Sequence, residues 1–104
     1  MRDIKITVIE TPLNQALAEQ YGQPNMTTCP SHRVGDVFIS KAGVKPEGLC
    51  EEAWASLSHY VFALCHGAET FWGDWMRVPN MCINTCADGF RPAVFKLEPV
   101  EEEK

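Results

Sequence analysis

A chain of 104 residues with 45% hydrophobic and 22% charged residues has the size and composition of one globular domain, which excludes a disordered tail or a membrane-embedded protein. The formal charge of −5 and the acidic end from Glu98 to Glu103 work against phosphate backbones and anionic lipid, so neither nucleic acid nor a membrane is an expected partner. No apolar run reaches the roughly 20 residues that a bilayer crossing needs, and Met1-Arg2-Asp3-Ile4-Lys5 lacks the apolar stretch of an export signal. The expected location is therefore cytoplasmic, where five cysteines, an odd number, point to reduced thiols or metal ligands rather than a disulfide framework.

Residues 3–10 alternate Ile4, Ile6 and Val8 against Lys5, Thr7 and Ile9, the period of two that marks a strand with one buried face. Thr11-Pro12 then reads as a helix start, with a capping hydroxyl and a proline where its missing N–H costs nothing. Leu13, Ala16, Leu17 and Tyr21 recur at helical spacing and Gly22 suits the stop, so a short amphipathic helix is expected to end at Tyr21. After a loop over 23–33, residues 35–40 form a second strand, closed by the Gly43 to Pro46 connection.

The longest periodic segment spans residues 50–66. Ala53, Trp54, Leu57, Tyr60, Val61, Leu64 and Cys65 fall on one stripe, while Glu51, Glu52, Ser56, Ser58 and His59 take the other. Acids sit at its positive end and Gly67 follows as the expected C′ residue, the signature of the main helix. Phe71-Trp72-Gly73-Asp74-Trp75 is an aromatic loop placed to close the core or to anchor an oligomer contact, because an indole wants its N–H satisfied.

The last regular stretch, residues 81–97, reads as a β-hairpin closed by Asp88-Gly89, since a type I′ turn needs positive φ and glycine supplies it. A two-residue loop there would set Cys82 opposite Phe95, Asn84 opposite Ala93 and Cys86 opposite Arg91. Arg91 would then favour the Cys86 thiolate. The expected fold is α+β: one domain over residues 1–98 in β-α-β-α-β-β order, a mainly antiparallel sheet with one long helix packed on it, and an acidic tail over 99–104.

Cys82 and Cys86 cannot share a zinc from one regular strand. Residues four apart are separated by roughly 13 Å, against about 4 Å between two thiolates on one ion. The metal grouping the spacing allows is Cys29 and His32 from the Cys-Pro-Ser-His loop, Cys50 at the start of the long helix and Cys86, for zinc or iron, with Asp88 and Arg91 orienting it. Three other readings compete. The same cysteines form a redox thiol site, Cys86 is the nucleophile of a small enzyme, or the cysteines are packed as small apolar side chains in an interaction module. That module would be a homo-oligomer or accessory subunit anchored through Phe71, Trp72 and Trp75.

The opening strand, Cys29-Pro30, Pro46-Glu47-Gly48-Leu49-Cys50, Ala53-Trp54-Ala55 and the run from Cys86-Ala87-Asp88-Gly89 through Phe90-Arg91-Pro92-Ala93-Val94-Phe95 cover nearly the whole chain. In these pieces it resembles a family of short, functionally uncharacterised prokaryotic proteins. Members of that family often carry a second cysteine directly before the Cys-x-Asp-Gly-x-Arg-Pro signature, where this chain has Thr85. The resemblance implies that Cys29, Cys50 and Cys86 are the cysteines to follow, and brings no activity with it.

Overall fold

In the computed structural model, which describes residues 1–101, the alternating segments form one four-stranded sheet. Its strands are β1 (Ile4–Glu10), β2 (Val37–Ser40), β3 (Cys82–Thr85) and β4 (Val94–Pro99), in the order β2-β1-β4-β3 with every pair antiparallel. Helix α1 (Gln15–Tyr21) follows β1, and α2 (Glu51–Cys65) crosses one face of the sheet. The α+β class, the element order and the single long helix all agree with the sequence pattern.

The core is the layer between that face and α2. Ile4, Ile6 and Val8 of β1, Phe95 and Leu97 of β4 and Cys82 of β3 meet Ala53, Leu57, Val61, Leu64 and Cys65 of the helix. Both periodicities thus bury the residues they mark. At its C-terminus α2 ends in a Schellman motif: Gly67 takes φ +98°, its N–H donates to Leu64 O, and Ala68 N–H donates to Ala63 O. Arg2 fastens the same end, its peptide N–H donating to Cys65 O and its guanidinium Nη2 to Leu64 O at 2.7 Å.

Two local expectations are overturned. Asn14, not Thr11, caps α1, its Oδ1 accepting from Leu17 N–H, and the helix is buried only at Ala18 while Leu17 and Tyr21 face water. The short helix contributes little to the core, so periodicity over seven residues did not decide its orientation. Strand β4 ends at Pro99, and Val100 N–H donates to Asp3 O. The rest of the expected acidic tail, residues 102–104, lies outside the described residues.

The second correction concerns the hairpin. Cys82 pairs with Leu97, Asn84 with Phe95 and Thr85 with Val94, two residues away from the register that an Asp88-Gly89 loop would impose. The connection is the longer segment 86–93, and Gly89 does not take positive φ. The cause is the Asp88 side chain. Its Oδ1 accepts the N–H groups of Phe90 at 2.8 Å and Arg91 at 2.9 Å, a local turn that replaces the ladder bonds a tight hairpin would make. Pro92, which has no N–H to give, stays out of the ladder. Because the displacement is two residues, each side chain keeps its face, and Cys82 and Phe95 still point into the core.

Candidate functional site

Since Arg2 holds the C-terminus of α2 beside the start of β1, and 15 residues span about 22 Å, the N-terminus of α2 lies at the opposite end of the sheet. There β1 finishes and β4 begins. His32, 4% exposed, fills this corner, with its ring edge-on to Phe38 at 5.3 Å and to Phe95 at 5.8 Å. Its Nε2 accepts the peptide N–H of Cys50 at 3.2 Å, which puts the ring proton on Nδ1. Cys50 is the N-cap residue of α2, but its thiol makes no capping hydrogen bond, so the histidine satisfies from outside the N–H that starts the helix.

Cys86 sits at the same end, one step beyond the Thr85–Val94 pair. Its N–H donates to Ala93 O at 3.2 Å, and its Sγ accepts the Ala93 N–H at 3.4 Å. The two-residue shift in register replaces Arg91 with Ala93 as its cross-strand neighbour, which corrects the expectation that a guanidinium lies opposite the thiol. Arg91 is instead drawn to Asp88, with Nε 3.5 Å from Oδ2, an ion pair rather than a well-aligned hydrogen bond. The two Arg91 and Phe90 amide bonds and the guanidinium hold the Asp88 carboxyl below its ordinary value, the Arg91 N–H being the largest cause. Cys29, three residues ahead of His32, is half-buried against the core, as are Cys50 and Cys86.

Of the expected ligands, His32 meets the peptide N–H of Cys50 rather than its thiol, and Cys86 shares their end of the sheet. All five cysteines are free thiols. Among the described residues no group of three or more histidine, cysteine, aspartate or glutamate side chains is arranged to hold a metal ion. Asn84 Oδ1, beside Phe95 in the ladder, is buried without a hydrogen-bond partner among the described residues. Cys82 and Cys65 belong to the core; burial pushes the Cys82 thiol up to about 12.

A second feature lies at the flank of α2. In the loop that follows the helix, Phe71 packs against Tyr60 at 5.6 Å and closes the core edge, as expected. Trp72 and Trp75 do not. They are 61% and 78% exposed, with ring centroids 6.0 Å apart, and Trp72 leans on Tyr60 at 6.4 Å. The same loop borders an open recess of about 210 Å³ lined by Phe71, Met76, Val78 and Pro79, with Asp74 and Arg77 at its wall. The aromatic cluster was legible in the sequence; the recess beside it was not, because it is made by the path of an irregular loop.

Comparison with known protein families, with curated proteins and with solved structures finds no match for this chain. No helix among the described residues is long and apolar enough to cross a membrane.

Proposed function

We propose that the chain is a protein-interaction module that associates with a second copy of itself through the loop over residues 69–79. The observation that carries this reading is the pair of water-exposed indoles, Trp72 and Trp75, held against one another on a half-buried tyrosine. A tryptophan buries about 150–250 Å² when covered, and exposed aromatic surface of this kind is typical of contact hot spots. The loop also carries the matching recess. A recess of about 210 Å³ is smaller than the pockets of roughly 300–1,000 Å³ that take small molecules, and suits a single large side chain.

Knob and recess on one loop form the self-complementary arrangement that a two-fold contact requires, in which residue i meets j and j meets i. Asp74 and Arg77 line the recess with opposite charges, and among the described residues neither has an ion-pair partner within the chain. Across a two-fold axis they would face one another. Light scattering on eluting protein tests the reading: the 11.7 kDa chain should run as a dimer, and the Trp72→Ala/Trp75→Ala variant as a monomer with unchanged far-ultraviolet circular dichroism. A wild-type monomer at all concentrations up to about 200 μM, well above the micromolar range of weak specific complexes, would end it.

A second reading rests on the corner at the start of α2, where the Cys50 peptide N–H meets His32 and Cys86 Sγ accepts a peptide N–H. Cys50, Cys86 and Cys29 are all half-buried free thiols, so these thiols would serve as a redox or metal site. Protein purified without oxygen should then carry stoichiometric zinc or iron, or show Cys50 and Cys86 alkylating ahead of the other thiols. Metal-free protein with five equally slow thiols would leave the cysteines as packing groups.

A further inference from the structure

The other end of α2 carries a cluster that neither reading uses. Cys65, the last residue of the helix, is 2% exposed, yet its Sγ lies 3.8 Å from Met1 Sδ and 3.3 Å from His66 Nδ1. The three side chains line an open cavity of about 610 Å³, together with Arg2 and Gly67. Thiol, thioether and imidazole are the soft and borderline donors, and they come from the two ends of a long-range contact that the Arg2 hydrogen bonds lock.

The spacing can be checked against coordination geometry. With the lengths known at zinc, about 2.3 Å to sulfur and about 2.0–2.1 Å to imidazole nitrogen, three donors spread evenly around one ion lie about 4.0 Å apart for two sulfurs and about 3.8 Å apart for sulfur and nitrogen. The observed 3.8 Å is close to the first, and the 3.3 Å separation opens by about half an ångström to reach the second.

We infer that Met1, Cys65 and His66 form a binding site for a soft monovalent cation of the Cu(I) and Ag(I) class. The charge of the donor set selects the valence. A thiolate with a monovalent ion is neutral, whereas a divalent ion would leave a net positive charge beside the Arg2 guanidinium, which lines the same cavity. Cys65 Sγ lies 3.1 Å and His66 Nδ1 3.0 Å from the Phe62 carbonyl, where each can donate a proton to it. On binding, the thiol proton is released to solvent and the imidazole proton passes to Nε2, so one proton leaves per ion bound. Phe62 O keeps the His66 peptide N–H at 3.2 Å, and the Phe62 ring, 4.3 Å from the imidazole, holds His66 in place.

The test is a titration of the intact protein, reduced and oxygen-free, with Ag(I), followed by NMR of methionine methyl groups and histidine rings. Of the four methionine methyls, the first equivalent should shift that of Met1 and the ring signals of His66, with one proton released. His66 is exposed, so His66→Gln should fold normally and bind at least tenfold more weakly, and Cys65→Ser should lose the first-equivalent shift. Should Cys65→Ser fail to fold, His66→Gln and the Met1 signal decide between them. First-equivalent binding elsewhere, at Cys50 or Cys86 with Met1 and His66 unmoved, overturns the assignment, as does wild-type affinity in His66→Gln.

Discussion

Cys82 allows the packing of β3 to be tested by chemistry. Its thiol is 3% exposed and pushed by burial from the ordinary 9.0 to about 12. At pH 8 an ordinary thiol is ionised to roughly one part in ten, a thiol of 12 to roughly one part in ten thousand, and only the thiolate attacks an alkylating reagent. Ionisation alone therefore slows Cys82 about a thousandfold relative to an unperturbed cysteine, and its burial beside Leu97 and the helix slows it further. The sign of the pH effect follows. The unfolded chain gives up this proton near 9 while the folded chain keeps it until about 12, so the contribution is intact below 9 and is lost as pH rises toward 12. The slope contributed is at most about 1.4 kcal/mol per pH unit. Iodoacetamide pulses at pH 8 with peptide mapping should label Cys82 long after the half-buried Cys29, Cys50 and Cys86, and only through opening of the fold. Urea unfolding from pH 8 to 11 should show a shallower alkaline decline for Cys82→Ala than for the wild type. Labelling of Cys82 in step with Cys29, or superposable alkaline limbs, would refute the buried placement of β3.

Leu57→Ala, at a fully buried position in the middle of α2, should cost about 3 kcal/mol and lower Tm by roughly 10 °C or more. Leu17→Ala, on the exposed face of α1, should change stability by less than about 0.5 kcal/mol. Asp88→Asn should remove part of the acid limb: the Asp88 carboxyl is held below its ordinary 3.8, so the wild type keeps this contribution above 3.8 and loses it as pH falls through the lower folded value. Denaturation curves between about pH 2.5 and 5 on both proteins, bracketing the usual carboxylate range, read the difference. Arg2→Ala leaves the Leu64 carbonyl without its 2.7 Å donor and should destabilise the chain by about 1–2 kcal/mol in urea unfolding.

Strands β1 and β4 and helix α2 were legible because each is long enough for its apolar period to be unambiguous, and because Gly67 marks a helix stop by local chemistry. The short elements were less so. Thr11 and Asn14 both qualify as helix caps, and Asn14 caps α1 while Thr11 stays outside it. In the hairpin, two signals at the same two residues competed: glycine favours the tight turn, but the aspartate carboxylate bonds the next peptide groups and opens the loop to eight residues. Of the expected site residues, only the Cys50 peptide N–H meets His32 while Cys86 lies at their end of the sheet, and the guanidinium expected beside Cys86 was lost with the register, because a side chain's long-range neighbours are not a local pattern.

Periodicity, caps and composition are properties of neighbouring residues, so the sequence by itself determined the order of the elements and, for β1, β4 and α2, the side that enters the core. Which helix end meets which strand end is set by contacts between residues far apart in the chain. Arg2 reaching Cys65, His32 reaching Cys50 and two tryptophans left outside the core are outcomes of that packing. No local pattern encodes them, because their free energy exists only once the sheet and α2 have closed on each other.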